Sequence, residues 1–329
     1  MSDTTTIADQ ARLDATRRSQ ARMNLLLSLT LLGLLILLWA VLAVSTRMFM
    51  SEINIVNLMR QAYLVAILAV GQTFVIITAG IDLSVGAVVG FCSVILALLL
   101  KAQVSIPVAI LLTLAMGAAI GMFHGFGIVQ LGLPPFIMTL ATLTALRGVG
   151  FLITNGSTIS DLPDAFTAFA PSNFLGIPSL FWMVVVVAVP AYVFLHHSRW
   201  GRYLFAIGGN PEAARLSGVN VPRMIYIAYM LSAFLAAVAA VLTTSRLSIG
   251  TQNTGQGLEL QAIAASVIGG TSLFGAVGSI YGPLLGSFLL TTIANGANLL
   301  NVNPFWQLII TGGLIIVIVY FDQLRRRRR

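Results

Sequence analysis

Long apolar runs, separated by short polar stretches, dominate the chain from residue 24 onward. The runs lack the alternation of apolar and polar positions that marks the strands of a membrane barrel. Because a segment inside a bilayer must form either a helix or a closed barrel, continuous runs of about 20 residues predict membrane-spanning helices. We count ten such runs, near residues 24–44, 61–79, 83–100, 106–128, 135–154, 178–196, 224–245, 259–274, 279–300 and 304–323.

The composition agrees with this pattern. Hydrophobic residues make up 58% of the 329 positions and charged residues only 9%, whereas a soluble protein carries about 25% charged residues. The first run is longer than the apolar core of a signal peptide, so we expect it to be retained as a span. The sequence predicts an all-α, polytopic membrane protein with one transmembrane domain at 24–323, a preceding segment at 1–23 and a basic tail at 324–329.

The basic residues predict how the chain is oriented. With ten spans, both termini lie on the same side as the loop 197–223, and these three regions together hold most of the 18 lysines and arginines. Cytoplasmic loops are enriched in such residues, so we expect this side to be cytoplasmic. The formal charge of +8 therefore reflects orientation in a lipid bilayer, and we expect no nucleic-acid partner.

An acidic residue interrupts the longest apolar stretch. As one helix, residues 62–100 would be about 58 Å long, although the hydrocarbon core of a bilayer is only about 30 Å thick. The stretch must therefore fold back near AGIDLS. Gly80 suits the left-handed position after a helix, and Asp82 or Ser84 suits the cap of the next helix. A polar gate or substrate contact at Asp82 is the alternative, because acids at membrane depth tend to be functional.

The loop 197–223 contains the signals of a complete short helix within the sequence NPEAARLSG. Asn210 suits the N-cap, Pro211 the first helical position, Glu212 the positive end of the helix and Gly218 its stop. A helix this short is not stable alone in water. It must dock either on its own bundle or on a partner protein.

Five segments together carry a resemblance to a known family. In order they are GIDLSVG, LRGV, GRYLFAIGGNPEAARLSGVNV, LELQAIAASVIGGTSL and NGANLLNVNPFWQLIITG. The chain resembles the inner-membrane permeases of bacterial ABC sugar importers, in the group that carries ribose, xylose and arabinose. The resemblance covers about residues 50–322 and departs slightly at 274–276, where relatives often carry a second glycine.

The resemblance implies a larger transport system in the bacterial inner membrane. The permease would pair with a second copy, with two cytoplasmic ATPase subunits that bind ATP and Mg, and with a periplasmic sugar-binding protein. ATP hydrolysis on the partner subunits would drive alternating access in the permease. The segment that resembles the family's ATPase-coupling helix consists of Gly208, Gly209, Asn210, Glu212, Ala213, Ala214, Arg215, Leu216, Ser217 and Gly218.

The sequence contains no signature of enzymatic chemistry. A GxxxxGK[ST] run is absent, so we expect ATP hydrolysis to occur on a separate chain. The three histidines do not have metal-ligand spacing, and Cys92 is the single cysteine. We therefore expect neither a metal nor a cofactor in this chain, and a transporter subunit rather than an enzyme.

Polar residues within the spans are candidates for the path of a sugar, which needs hydrogen-bonding groups and few charges. Hydrogen bonding between helices is the alternative role for each of them. Arg147 lies deep within a span and either extends to the membrane surface or pairs with an acid. The path candidates are Gln72, Thr73, Asp82, Ser84, Thr139, Asn155, Gln261, Asn295 and Asn298.

The loop 155–177 is predicted to lie on the outer side. It carries Asp161 and Asp164 and no basic residue. We expect these two acids to help dock the sugar-binding protein.

The function predicted from the sequence is import of a monosaccharide, most simply a pentose such as ribose. The alternatives are an ABC permease for nucleosides or branched-chain amino acids and an ion-coupled secondary transporter. Ion coupling requires buried ionisable residues in the spans. Only Asp82, Arg147, Glu259 and His124 meet that requirement.

Overall fold

Helices make up nearly all the regular structure in the computed structural model of the chain. The segment 1–23, the start of the first predicted span at 24–28 and the tail at 324–329 lie outside the described residues. The structure describes residues 29–303, 305–307, 309–310, 312–313, 316, 320 and 322–323.

Within residues 29–303, each predicted apolar run contains a helix, and three further helices lie in the polar loops. Two short strands, β1 (Asn173–Phe174) and β2 (Ile177–Pro178), pair antiparallel within the loop after α6. A π-helical turn, Val193–His197, continues α7. In chain order the helices are α1 (Leu29–Ser45), α2 (Glu52–Ile77), α3 (Val85–Lys101), α4 (Ile106–Val129), α5 (Pro135–Thr154), α6 (Asp164–Thr167), α7 (Ser179–Tyr192), α8 (Arg199–Gly209), α9 (Pro211–Leu216), α10 (Val221–Leu247), α11 (Leu258–Ile268) and α12 (Tyr281–Leu299).

The lengths of the helices agree with a membrane protein but not with every predicted span. Within the described residues, five helices are long and apolar enough to cross a bilayer, namely α2, α4, α5, α7 with its π-helical turn, and α10. Helix α11 has 11 residues, so it is about 16 Å long, roughly half the hydrocarbon thickness. The predicted helix over 259–274 is therefore wrong in its second half, because Gly269 caps α11 and Gly270 takes a positive φ of 90°. The total of ten spans remains a prediction.

Helix α10 lies at the centre of the bundle, where it packs against α2, α3 and α4. Glycines in α4 allow this approach. A Cβ atom at Gly121 would lie 2.4 Å from the carbonyl oxygen of Tyr229, and one at Gly117 would lie 2.5 Å from the Cβ atom of Ala237. Both distances are shorter than van der Waals contact, so the two helices can only pack this closely around glycine.

The chain folds back between α2 and α3, as the bilayer thickness required. The turn differs from the prediction in one residue, because Ala79 and not Gly80 takes the left-handed conformation, with φ of 61°. The Gly80 N–H donates to the carbonyl of Val75 at 3.2 Å, which closes the end of α2. Gly80 is needed for a different reason: a Cβ atom there would lie 2.5 Å from the Tyr229 hydroxyl.

The bundle has two ends that differ in their loops. At one end, which we call the α9 end, helix α8 meets the C-terminal end of α2 and the loop 272–279, and α9 follows α8 directly. At the other, the α6 end, the loop 155–177 lies beside the N-terminal half of α2, where Arg60 donates to the carbonyl of Pro171 at 2.9 Å. The α9 end is the side predicted to be cytoplasmic.

Candidate functional site

The carboxylate of Asp82 lies fully buried between α2, α3 and α10. Its Oδ1 accepts hydrogen bonds from the backbone N–H of Ser84 at 2.9 Å and from the Ser84 hydroxyl at 2.6 Å. Its Oδ2 accepts from the hydroxyl of Ser232 on α10 at 2.8 Å. Asp82 therefore holds Ser84, the N-cap residue of α3, and ties it to the central helix. Neither residue makes the predicted side-chain bond to a helical N–H of α3.

Two more predicted residues join Asp82. The side-chain amide of Gln72 donates to the Asp82 carbonyl oxygen, and the Thr139 hydroxyl accepts from the N–H of Leu83 at 3.2 Å. These bonds satisfy backbone groups of the non-helical residues between α2 and α3, which have no helical partners. We refer to Gln72, Asp82, Ser84, Thr139 and Ser232 as the Asp82 cluster.

Sequence reasoning missed the contribution of α10 to this cluster. Ser232 looks like an ordinary small residue in an apolar helix, and nothing in its neighbourhood predicts a carboxylate partner 150 positions away along the chain. Tyr229, one turn earlier, reaches the carbonyl of Ile81 at 3.5 Å. The edge of its ring also packs on His124, whose centroid is 6.1 Å away.

Asn295 is not part of the Asp82 cluster. It forms a reciprocal amide pair with Asn54 of α2: Asn54 Nδ2 donates to Asn295 Oδ1 at 3.1 Å, and Asn295 Nδ2 donates to Asn54 Oδ1 at 2.8 Å. Both side chains are buried. The geometry matches the alternative role, hydrogen bonding between two helices.

The remaining path candidates are dispersed. The Thr73 hydroxyl donates to the carbonyl four residues earlier in its own helix, at 2.7 Å. Asn155 is exposed and caps the end of α5 in the left-handed conformation, with φ of 49°. Asn298 is exposed and accepts from Gln307 at 2.8 Å, and Gln261 is half-buried on α11. These residues do not converge on one site in this arrangement.

Arg147 pairs with an acid, one of the two predicted outcomes. Its guanidinium lies 3.2 Å from Oε1 of Glu259, at the start of α11, and the side chain of Glu259 is the more deeply buried of the two. The pair joins α5 to α11. The two helices are far apart in the sequence, so Glu259 was not identified in advance as the partner.

Helix α9 has the local structure that the sequence predicted. The Asn210 side chain accepts from the N–H of Ala213 at 3.0 Å, Pro211 is the first helical residue, and Gly218 takes a positive φ of 83°. Glu212 and Arg215 form an exposed ion pair at 2.8 Å. Leu216, the last residue of α9, is 83% exposed.

The glycine before this helix packs against the bundle. A Cβ atom at Gly208 would lie 1.8 Å from the carbonyl oxygen of Ile77 and 2.5 Å from the backbone nitrogen of Ala276. That same nitrogen donates to the Ile77 carbonyl at 2.9 Å. Three segments therefore meet at the end of α2, only a few residues before Asp82.

The two acids of the α6 end lie among basic residues. Asp161 is 3.8 Å from the Lys101 ammonium, and both side chains are largely exposed. Asp164 lines a cleft of about 520 Å³ together with Arg60 and Arg246. The loop itself has no basic residue, as the sequence shows, but the fold supplies basic neighbours from α2, α3 and α10.

Comparison with known proteins decides the family. Residues 54–319 match the family described as branched-chain amino acid transport system / permease component. The ribose import permease protein RbsC of Escherichia coli (strain K12) is 39% identical over 301 residues, which cover 90% of this chain and 94% of the relative. The chain belongs to the ABC sugar importer permeases. It is also 41% identical over 294 residues to the ribose import permease protein RbsC of Bacillus subtilis (strain 168), with 89% of this chain and 91% of the relative covered.

Other relatives among the ABC sugar importer permeases are named for different sugars. The galactose/methyl galactoside import permease protein MglC of Haemophilus influenzae is 36% identical over 315 residues, covering 90% of this chain and 94% of the relative. No solved structure matches the chain. Family membership confirms the resemblance seen in the sequence and a location in the bacterial inner membrane.

Proposed function

We propose that the chain is the permease subunit of an ATP-driven importer that moves a monosaccharide from the periplasm to the cytoplasm, with a pentose such as ribose as its first candidate. Two of the relatives reported above are ribose import permeases, and both match over nearly the whole of this chain. In this proposal the chain pairs with a second copy, with cytoplasmic ATPase subunits that hold ATP and Mg, and with a periplasmic sugar-binding protein.

The contact between the coupling segment and the end of α2 carries the proposal. Helix α9 presents Leu216 to solvent beside the Glu212–Arg215 pair, and in the proposal Leu216 is the apolar anchor that the ATPase subunit covers. Just before it, Gly208 touches the Ile77 carbonyl. A partner that moves α9 therefore acts on the turn that holds the Asp82 cluster, which supports alternating access driven from the α9 end.

Binding of the ATPase subunit to α9 is tested with Leu216→Asp. A charged side chain in place of an exposed apolar anchor is expected to lower co-purification of the ATPase with the permease at least about tenfold, and ATP-dependent ribose uptake with it. Leu175→Asp is the matched control, since Leu175 is 77% exposed but lies at the α6 end. Equal ATPase recovery from both variants would contradict the proposed docking.

The rival substrates and energy source need a separate measurement. The family description names branched-chain amino acids, and the buried acids Asp82 and Glu259 would be the candidates for ion coupling. Proteoliposomes that contain the permease, the ATPase and the binding protein should take up ribose only when ATP is supplied on the side of the membrane that carries the ATPase. Uptake that follows a proton or sodium gradient without ATP would reject the proposal. Inhibition of ribose uptake by leucine would indicate a branched-chain amino acid as the substrate instead of a sugar.

A further inference from the structure

The chain between α10 and α11 turns back into the bundle without forming a helix. Gly250 lies against the Ser93 carbonyl of α3, where a Cβ atom would be 2.7 Å away, and Gly255 lies against the Gly86 carbonyl, where it would be 2.3 Å away. Residues 248–257, which we call the re-entrant segment, therefore run back along α3. Non-helical backbone at membrane depth occurs where it is buried in protein or lines a water-filled cavity.

Three side chains in and next to the re-entrant segment have buried polar atoms without partners among the described residues. They are Gln252, 4% exposed, with both side-chain amide atoms unpaired, and Thr254 and Glu259, each 8% exposed, with the hydroxyl and Oε2 unpaired. Leaving a buried polar atom unpaired is costly, so such atoms usually face water, an ion or a ligand in some functional state.

Glycines of α3 and α5 hold these side chains in place. A Cβ atom at Gly150 would lie 1.9 Å from Gln252 Oε1, and one at Gly86 would lie 2.1 Å from Glu259 Oε2. Arg147, one turn before Gly150 on α5, takes the other carboxylate oxygen of Glu259. Gln252 thus lies against α5, and Glu259 lies against both α3 and α5, with glycine backbone beside each side chain.

We propose that Gln252, Thr254 and Glu259 form a binding site for sugar hydroxyls, closed in this arrangement and opened towards the translocation path when α11 moves. The inference rests on the proposed function. An amide, a hydroxyl and a carboxylate offer both donors and acceptors, which a polyhydroxylated ligand needs. Helix α11 starts inside the bundle at Gly257 without a side-chain cap, the type of broken helix that marks binding sites in transporters.

Cysteine labelling tests whether the site meets the aqueous path. Cys92 is the only cysteine of the chain, so Cys92→Ala provides a background for Thr254→Cys. During ATP-driven cycling, a water-soluble methanethiosulfonate is expected to label Thr254→Cys at least about tenfold faster than Thr113→Cys, and saturating ribose should slow that labelling. Thr113 is the matched control because it is fully buried and its hydroxyl bonds to its own helix.

Loss of the polar groups gives a second readout. Gln252→Met and Thr254→Val preserve volume and are each expected to lower ATP-dependent ribose uptake about tenfold, while Thr113→Val changes it less than about twofold. Thermal unfolding of the purified variants is measured alongside, since a purely structural role would lower stability and uptake together.

The results distinguish a failure of the proposed sugar site from a failure of the proposed import function. If the wild-type chain, with its ATPase and binding protein, shows no ATP-dependent uptake of ribose or another monosaccharide, the proposed function fails and the sugar site falls with it; loss of uptake in Cys92→Ala alone calls for Cys92→Ser as the background instead. If uptake is normal but Thr254→Cys is labelled no faster than Thr113→Cys, or ribose does not slow its labelling, the site alone is overturned. Normal uptake by both Gln252→Met and Thr254→Val would also overturn it.

Discussion

Asp82 shows how one buried acid can serve two neighbours. Its carboxylate receives three hydrogen bonds, two from Ser84 and one from Ser232. The donors are uncharged, so the group is held by geometry rather than by an ion pair. The bonds to Ser84 are local, since an aspartate side chain readily accepts from the backbone two residues on, whereas the bond to Ser232 requires the packing of α10 on α3 and could not be predicted.

Asp82→Asn and Asp82→Leu separate the two roles left open for this residue. Asparagine retains an oxygen for Ser84 and offers an amide to the Ser232 hydroxyl, so we expect a cost of about 1 kcal/mol and nearly normal uptake. Leucine leaves the donors of Ser84 and Ser232 buried and unpaired, at about 1–3 kcal/mol each. Thermal unfolding and ribose uptake are the measurements. A folded Asp82→Asn protein that binds its ATPase but does not transport would instead assign a gating role to the charge.

At the scale of elements, the apolar runs predicted the helices and the polar loop predicted α9, since both depend on signals within a few residues. The helix over 259–274 was predicted too long. After Glu259 the sequence carries no charged residue up to Phe274, and hydropathy alone does not distinguish a helix from the turn that begins at Gly269. The re-entrant segment was also missed, because its polar residues have the hydropathy of an exposed loop although the segment is buried.

Gly208 and Gly209 form a matched pair for testing how the coupling segment meets α2. A Cβ atom at Gly208 collides with backbone at 1.8 Å, whereas at Gly209 its nearest neighbour is 3.8 Å away. Gly208→Ala is therefore expected to destabilise the protein by about 1–3 kcal/mol and to reduce uptake, while Gly209→Ala stays close to wild type in melting temperature. Similar melting temperatures for both variants would show that α8 does not seat on the Ile77 carbonyl.

At the scale of the whole molecule, the two ends of the bundle are expected to bind different partner proteins. In the proposed importer, the ATPase subunits would bind the exposed helix at the α9 end, and the binding protein would bind the acidic and basic groups at the α6 end. The positions of Asp161 and Asp164 in the loop were evident from the sequence. Their basic neighbours were not, because Lys101, Arg60 and Arg246 come from three helices that only the fold brings together.

Charge reversal at the α6 end tests docking of the binding protein. The double variant Asp161→Lys, Asp164→Lys is expected to lower ribose uptake about tenfold when the concentration of binding protein is limiting. The decrease should be smaller at high salt, because exposed charges interact over only about 10 Å at 0.1 M ionic strength and less above it. ATPase co-purification should stay unchanged. Uptake equal to that of the wild type at low salt would remove these acids from the docking surface.

The Asn54–Asn295 amide pair restricts which parts of the bundle can move. Two reciprocal hydrogen bonds join the buried side chains of α2 and α12, and separated amides would leave buried polar atoms without partners. Sliding or rotation between these two helices would break both bonds at once. Helices α2 and α12 should therefore travel together as one rigid body in any conformational change of the bundle.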